Sequence, residues 1–304
     1  RGAVALGKPE DLIANGCRDS SFDLLCLRAG KPVDLQVPEG RGAGIRCEPT
    51  AYPLIAGEED RIAAARRIEI DPGSYLLFIR RSGYEDQRLP VVVPRLGEVE
   101  PRATLLRSGA TPPGFVFIPP GRFVYGGDPE AEEPAPAEEV DLPGFSIGRR
   151  EVTNAEWAEF VDDPETQRRI QASSSPIYVP REQDSSLIPK ANLGGPTTPV
   201  IGISWNEVRD YLAWRNQKAR KAGEPWLFDL PTEKEWEKAA RGVDARAFPW
   251  GNRFDLDVVV GLYSKPMAIF SAPGGFEPCD ESPFGVQDAG GLRQEWTADP
   301  YVPD

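Results

Sequence analysis

Apolar residues in the first third of the chain fall in short runs separated by Pro and Gly, and spacing of the helical kind is almost absent before residue 107. The run Tyr75-Leu76-Leu77-Phe78-Ile79 has the aromatic and β-branched content of a buried strand. Asp71-Pro72-Gly73-Ser74 ahead of it puts Pro and Gly at the central positions of a type II turn. Ser82-Gly83 can reverse the chain, Leu89-Pro90-Val91-Val92-Val93 reads as the returning strand, and Thr104-Leu105-Leu106 as a closing one. Glu59 to Arg67 is the stretch here that suits a helix. Farther on, Phe115-Val116-Phe117-Ile118, a turn at Pro119-Pro120-Gly121 and Arg122-Phe123-Val124-Tyr125 together predict a hairpin. The Glu-, Ala- and Pro-rich stretch from Asp128 to Glu139 reads as a solvated loop.

Past residue 150 the pattern becomes helical. Thr153-Asn154-Ala155-Glu156, Ser204-Trp205-Asn206-Glu207 and Thr232-Glu233-Lys234-Glu235 are all capping boxes. In each, a hydroxyl can accept from the third backbone N–H and the Glu can reach back to the cap. Trp205, Val208, Leu212 and Trp214 mark one apolar face, and Trp236 with Ala239-Ala240 marks another. Between the helices lie long irregular stretches such as Ser173 to Pro199, of the length that wraps a core or carries function.

At 304 residues the chain has room for two domains, and its composition agrees. Residues 1–107 hold 16 basic and 16 acidic side chains, whereas residues 108–304 hold 19 and 32 and all seven Trp. Ser108 to Gly114 is rich in Ser, Gly, Thr and Pro and marks the boundary. The expected organisation is therefore residues 1–107, a linker at 108–113, and residues 114–304. A net charge of −13 disfavours nucleic acid, whose phosphates would be repelled, and solubility is its plainest meaning. No apolar run has the length of a membrane span. Arg1 opens the chain with no basic-then-apolar leader behind it, as expected for a fragment or a processed product. With no histidine at all, a Ser/His/Asp triad, a Cys/His pair and the usual zinc sites are excluded. Cys17, Cys26, Cys47 and Cys279 form no CxxC pair; the pairing of the first three stays open, as does the compartment, with the cytoplasm favoured.

Pro72-Gly73-Ser74-Tyr75 and Gly83-Tyr84 resemble a PEGA-type domain, a small bacterial β-sandwich, over roughly residues 20–107. The resemblance implies a spacer or adhesion unit without catalysis. The second part resembles the formylglycine-generating enzyme (sulfatase-modifying factor) family. The matching blocks are Phe115-Val116-Phe117-Ile118-Pro119-Pro120-Gly121-Arg122-Phe123, Arg150-Glu151-Val152-Thr153-Asn154-Ala155-Glu156-Trp157 and Pro199-Val200-Ile201-Gly202-Ile203-Ser204-Trp205. They continue with Leu230-Pro231-Thr232-Glu233-Lys234-Glu235-Trp236-Glu237-Lys238-Ala239-Ala240-Arg241-Gly242, Phe248-Pro249-Trp250-Gly251, and Phe284-Gly285-Val286-Gln287-Asp288 through Glu295-Trp296-Thr297. They stand in the family's order across nearly all of residues 114–299. The fold implied is α+β, a small β-sandwich followed by a loop-rich, C-type-lectin-like domain. Each block also has a plain structural job: Leu230-Pro231-Thr232 ends an extended segment and caps a helix, and Phe248-Pro249-Trp250-Gly251 makes a rigid aromatic turn.

The resemblance further implies a calcium ion in the loop that ends in the family's Trp-Glu-Trp sequence. Matched position by position, its side-chain ligands would be Asp288 and Glu295, with backbone carbonyls of Gly291 and Arg293. An all-oxygen set suits calcium, and Gly290-Gly291 lets the main chain fold tightly. This chain departs from the family at Gly291-Leu292, where Gly-Asn is usual, at Gln294, where the first Trp stands, and at Asp288, which replaces an amide. The plain alternative is a water-filled turn with Glu295 paired to an Arg. Asp255, Asp257, Asp280 and Glu281 offer oxygens near the family's second calcium loop without a residue-by-residue match. Active members also bind copper(I) through two cysteines beyond the Trp-Glu-Trp loop and oxidise a substrate cysteine with dioxygen. Cys279 lies before that loop, so copper is expected only with a cysteine pair beyond Asp304.

Three functions remain open. The first is a non-catalytic recognition or regulatory module for a protein, peptide or glycan, within a larger bacterial polypeptide that also carries other domains, such as a Ser/Thr kinase. The second is a copper-dependent formylglycine-generating oxidase, and the third a diversified lectin-like binder.

Overall fold

The computed structural model describes residues 2–6, 23–25, 27–28, 31–32, 66–70, 72–79, 83–96, 98–99, 101, 103–129, 131, 135–172, 195–252, 281–291 and 294–300. The protein is a mixed α/β fold with sheets of two or three strands. It divides into two compact units, one of Arg1–Arg149, Lys234–Phe254 and Glu277–Val286, the other of Arg150–Glu233, Asp255–Phe276 and Gln287–Asp304.

In the first unit, strand β1 (Gly2–Leu6) lies between β5 (Arg66–Ile70), antiparallel, and β8 (Glu98–Val99), parallel. Strands β3 (Leu27–Arg28) and β4 (Lys31–Pro32) make a minimal pair. Strand β6 (Gly73–Ile79) is the centre of another sheet, with β2 (Asp23–Leu25) parallel on one side and β7 (Gln87–Val93) antiparallel on the other. Tyr75, Leu76 and Leu77 are all buried, as are Leu89, Val91 and Val93 of the partner strand, so this pair supplies apolar core from consecutive as well as alternate positions.

The expected strand, reversal and return are therefore present, with three differences. Gly73 is already strand, paired with Val93, so its backbone is extended and no type II turn centres on it. Arg66 and Arg67, placed at the end of a helix by the sequence, belong to β5; the rest of Glu59 to Arg67 lies outside the described residues. Thr104-Leu105-Leu106 forms no strand. Its backbone and that of Ser108 are spent on the reversal instead, Glu85 N–H donating to the Leu106 carbonyl (2.9 Å) and Ser108 N–H to that of Gly83 (3.1 Å). Thr111 adds its N–H to the Glu85 carboxylate at 2.8 Å.

The residues expected to form a hairpin do something else. Strand β9 (Phe115–Ile118) pairs with β12 (Phe145–Gly148), and β10 (Gly121–Tyr125) with β11 (Glu138–Leu142). Both ladders keep one register: Ile118 faces Phe145 and Gly121 faces Leu142, so each step along one strand is matched by a step back along the other. This is one long antiparallel ribbon interrupted where Pro119-Pro120 meets Pro143-Gly144. Proline brings no N–H to a ladder, so pairing stops there. Gly144 permits the close approach at the break, since a Cβ on it would meet the Phe117 ring at 2.9 Å and Pro120 at 3.1 Å. The acidic stretch is partly strand too, because Glu138 and Glu139 begin β11.

Helix α4 (Glu233–Arg241) mends the break. Lys238, 1% exposed, donates its Nζ to the carbonyls of Pro119 (2.9 Å) and Gly121 (2.8 Å). One turn on, Arg241 bonds the Gly126 carbonyl (3.2 Å) and the Glu237 carboxylate (2.5 Å), which itself accepts from Gly126 N–H (2.7 Å). Behind α4, the Arg246 guanidinium is fully buried and grips Asp244 with two bonds, of 2.7 and 2.6 Å. The aromatic turn is as expected: Phe248 and Gly251 exchange backbone bonds of 2.8 and 3.0 Å, and the Phe248 and Trp250 rings stack at 5.2 Å.

The second unit is built on helices α1 (Asn154–Val161), α2 (Pro164–Ala172) and α3 (Trp205–Ala222). Both expected capping boxes at α1 and α3 form: Thr153 and Ser204 each accept from the third N–H while Glu156 and Glu207 return to the cap backbone. Such a cap contributes about 1 kcal/mol. At the other end of α3, Gly223 takes φ 73 and lets Glu224 N–H reach the Ala219 carbonyl at 2.9 Å. Helix α2 was not read from the sequence, although Asp163-Pro164-Glu165 carries its signal: an Asp cap, Pro at the first helical position and an acidic first turn. Asp163 Oδ1 accepts from Glu165 N–H (3.0 Å) and Thr166 N–H (3.2 Å). The core of this unit is aromatic. Trp157 stacks on Tyr211 at 5.3 Å, and Phe160 meets both rings edge-on at 5.3 and 5.6 Å.

Candidate functional site

The segment 294–300 of the second unit is laid across the starts of two helices. Trp296 Nε1 donates to the Ile203 carbonyl at 3.0 Å, just before the α3 cap. Trp205, the first residue of α3, returns the favour to the Thr297 carbonyl at 3.1 Å. Ala298 N–H reaches the Pro231 carbonyl at 2.8 Å, and the Asp299 carboxylate accepts the Glu233 N–H at the start of α4 at 2.5 Å. Acidic groups at a helix N-terminus are favoured by the dipole and the orphan donors there. The outcome is a pair of indoles whose polar atoms are both satisfied by backbone while the two residues stay 38% (Trp205) and 47% (Trp296) exposed.

This differs from the sequence reading, which placed Trp205 on the packed face of its helix. Tyr211 and Ala219 are the buried residues of α3. Tyr211 is held neutral to high pH: burial first, then the Glu156 charge, push its hydroxyl up to about 12. Trp205 instead carries the Arg209 guanidinium over its ring at 5.5 Å, and Arg209 is ion-paired to Asp229. Exposed carboxylates stand on the same elements: Glu295 and Asp299 in the segment of Trp296, Asp229 paired with Arg209, and Glu233 at the start of α4.

Asp288 lies before this segment in the chain. It is 2% exposed and sits at φ 59, a left-handed backbone that Asp tolerates better than most residues. Gly291 N–H closes a turn on its carbonyl at 3.3 Å, and the preceding Gln287 accepts from Arg150 at 2.6 Å. Of the expected calcium ligands, Asp288 is therefore buried, Gly291 and Glu295 are exposed, and Arg293 lies outside the described residues. Among the described residues no three Asp, Glu, His or Cys side chains converge as a metal group. Calcium takes six to eight oxygens. The donor types fit that ion, with two carboxylates and two carbonyls as the protein's share and water for the rest.

Glu281, in the first unit, is committed to Arg88 at 2.9 Å and lies 3.9 Å from Arg149. Asp255, Asp257 and Asp280 lie outside the described residues, as do Cys17, Cys26, Cys47 and Cys279. The second unit also has an open cavity of about 430 Å³ between α1 and α3, lined by Glu159, Asp163, Trp214 and Lys218 among others. Lys218 bridges its mouth, bonded to Glu159 at 2.6 Å with its ammonium 5.0 Å above the Trp214 ring.

Residues 102–304 match the model of the FGE-sulfatase family, described as a sulfatase-modifying factor enzyme 1-like domain. The mouse protein named inactive C-alpha-formylglycine-generating enzyme 2 is 32% identical over 232 residues, covering 64% of this chain and 71% of its own. Hercynine oxygenase from Mycolicibacterium smegmatis is also 32% identical, over 62% of this chain but 46% of its own, so this chain spans less than half the length of that relative. Mouse formylglycine-generating enzyme is 27% identical over 66% of this chain and 62% of its own. The solved structure of CarF aligns with 62% of this chain at a TM-score of 0.43 and 20% identity, too low to carry an argument. With the family's pattern running through residues 102–304, about two thirds of its length, this chain belongs to the sulfatase-modifying factor enzyme 1-like domain family.

Proposed function

We propose that the protein is a non-catalytic recognition module of this family, which presents an aromatic surface to a macromolecular partner. The observation that carries the reading is the Trp205–Trp296 pair: two rings fixed by backbone hydrogen bonds and left half in solvent. Rigid aromatic area binds at low entropic cost, the property that enriches Trp at interfaces. The commitment of buried charge elsewhere agrees with it, since Lys238, Arg246 and Asp244 are spent on holding backbone and one another. A relative named inactive stands among the similar proteins. In this reading residues 1–107 form a PEGA-like β-sandwich, 108–113 a linker and 114–304 a lectin-like domain, within a longer polypeptide whose other domains, a kinase among the candidates, use the binding event.

Relatives named formylglycine-generating enzyme and hercynine oxygenase favour a second reading, an oxidase. One experiment separates the two. The protein is incubated with copper, dioxygen, reductant and a cysteine-containing peptide, and the peptide is weighed by mass spectrometry. The recognition reading expects an unchanged cysteine; conversion to the aldehyde refutes it.

The Asp288 loop is proposed to take calcium, which would crosslink the loop electrostatically and leave oxidation chemistry untouched. At a calcium concentration a hundredfold above Kd, binding stabilises by about 2.7 kcal/mol. Calcium is therefore expected to raise Tm in the wild type and to leave Tm unmoved when Asp288→Ala and Glu295→Ala are combined. An equal calcium response in that double variant would refute the site.

A further inference from the structure

We infer that the Trp205–Trp296 surface docks a basic peptide segment of a partner protein, with an arginine or lysine side chain laid on the Trp296 ring. This rests on the recognition reading and names the partner's chemistry. The first argument is what the rings have left to offer. Both indole N–H groups are taken by the carbonyls of Thr297 and Ile203. The rings therefore offer π faces and no donor, and a π face attracts a cation.

The second argument is charge. Asp299 is exposed on the segment that carries Trp296, and the exposed Asp229 pairs with the Arg209 that lies over Trp205, so the described contacts of this surface include two carboxylates and one cation. The third is an internal precedent: Arg209 lies over Trp205 at 5.5 Å while Asp229 pairs with its guanidinium. Trp296 repeats half of that arrangement, as a more exposed residue with the Asp299 carboxylate three positions on along the same segment. A guanidinium or ammonium from outside completes it. An acidic partner would meet like charge, and a neutral glycan would gain from the rings but not from the carboxylates.

The test uses the full chain with synthetic peptides that alternate arginine or glutamate with glycine, and with a neutral oligosaccharide, followed by calorimetry at low and high salt. The arginine peptide is expected to bind and the glutamate peptide not. Trp296→Ala should weaken binding about tenfold, and Trp296→Phe, which keeps a ring, by no more than about threefold. Asp299→Asn keeps an oxygen for the Glu233 N–H but removes the charge; it should weaken binding about threefold and flatten the salt dependence. Should Trp296→Ala fail to fold by circular dichroism, Trp296→Leu takes its place, with bulk but no π face. Absence of arginine-peptide binding at low salt, or binding that survives loss of the ring, overturns the inference. Oligosaccharide binding that depends on Trp296, with no arginine-peptide binding, overturns it too but leaves the recognition reading standing. Cysteine oxidation by the protein removes the recognition reading, whatever the peptides do.

Discussion

Replacing Lys238 by Met tests the account of the interrupted ribbon, because two opposing terms change sign of dominance with pH. In favour of the lysine are its bonds to the carbonyls of Pro119 and Gly121, at 2.9 and 2.8 Å. Losing both leaves two acceptors without these donors at a break where proline supplies none, a cost of about 1–3 kcal/mol for each that is left unsatisfied. Against it stands the burial of an ammonium. Burial pulls its pKa from 10.5 down to about 8, with the Asp141 charge opposing. A shift of that size corresponds to roughly 3 kcal/mol. The group is depressed in the folded state, so between these values the unfolded chain holds a proton that the folded chain lacks. Stability from Lys238 is therefore full above the unfolded pKa and falls away as pH drops through about 8. Near pH 7 the two terms nearly cancel, and Lys238→Met should lie within about 1 kcal/mol of wild type. Near pH 9.5 most of the charge penalty is gone and the variant should be about 2 kcal/mol or more less stable. Denaturant unfolding at both pH values, read as the difference between proteins, measures this. Tyr211 does not interfere, since its raised pKa matters only above pH 10. A deficit that is the same at both pH values, or shrinks as pH rises, would refute the reasoning.

Other residues give sharper single numbers. Thr153→Ala and Ser204→Ala should each cost about 1 kcal/mol in chemical denaturation and add when combined, and a loss below about 0.3 kcal/mol for both would mean the boxes contribute nothing. Arg246→Leu should cost about 3–5 kcal/mol, because burial works against an ionised Asp244 and Arg246 is the largest of the groups that outweigh it, with hydrogen bonds from Ser74 and the backbone of Asp244 beside it. Adding Asp244→Ala should restore more than half of that loss, and a double variant no more stable than the single would show that the cost lies in packing rather than in a stranded charge.

What the sequence disclosed depended on how local the cause was. The α1 and α3 starts are written in four consecutive residues each, and both formed as expected. The strands β6, β7, β9 and β10 were likewise visible as apolar runs. Partner choice was not visible, because Phe115–Ile118 finds its partner some thirty residues on, at Phe145–Gly148. Only Pro119-Pro120 and Pro143-Gly144, read as two matching interruptions in strands of the same register, would have hinted at it. Lys238 was hidden for a related reason: a lysine on a helix rich in charge reads as surface, and nothing local says that it faces a proline break.

The aromatic surface was misread through the same limit, and the error explains where function tends to sit. Helical spacing places Trp205 beside Val208 and Leu212, so periodicity alone assigns it to the core. Its position is instead decided by Thr297, whose carbonyl takes the indole N–H from 92 positions away. A tryptophan at the first position of a helix has no preceding turn to pack on, and it is free to swing toward whatever backbone passes its cap. Here that backbone is the segment that carries Trp296, which makes the reciprocal bond. Each ring is thereby held by a polar contact that leaves its apolar face in water. A fold selected only to bury its tryptophans would have used α3 the other way round, as it does with Tyr211. Retaining two large rings half-exposed forgoes apolar burial that is worth about 25 cal/mol per Å², and a partner that covers them recovers it.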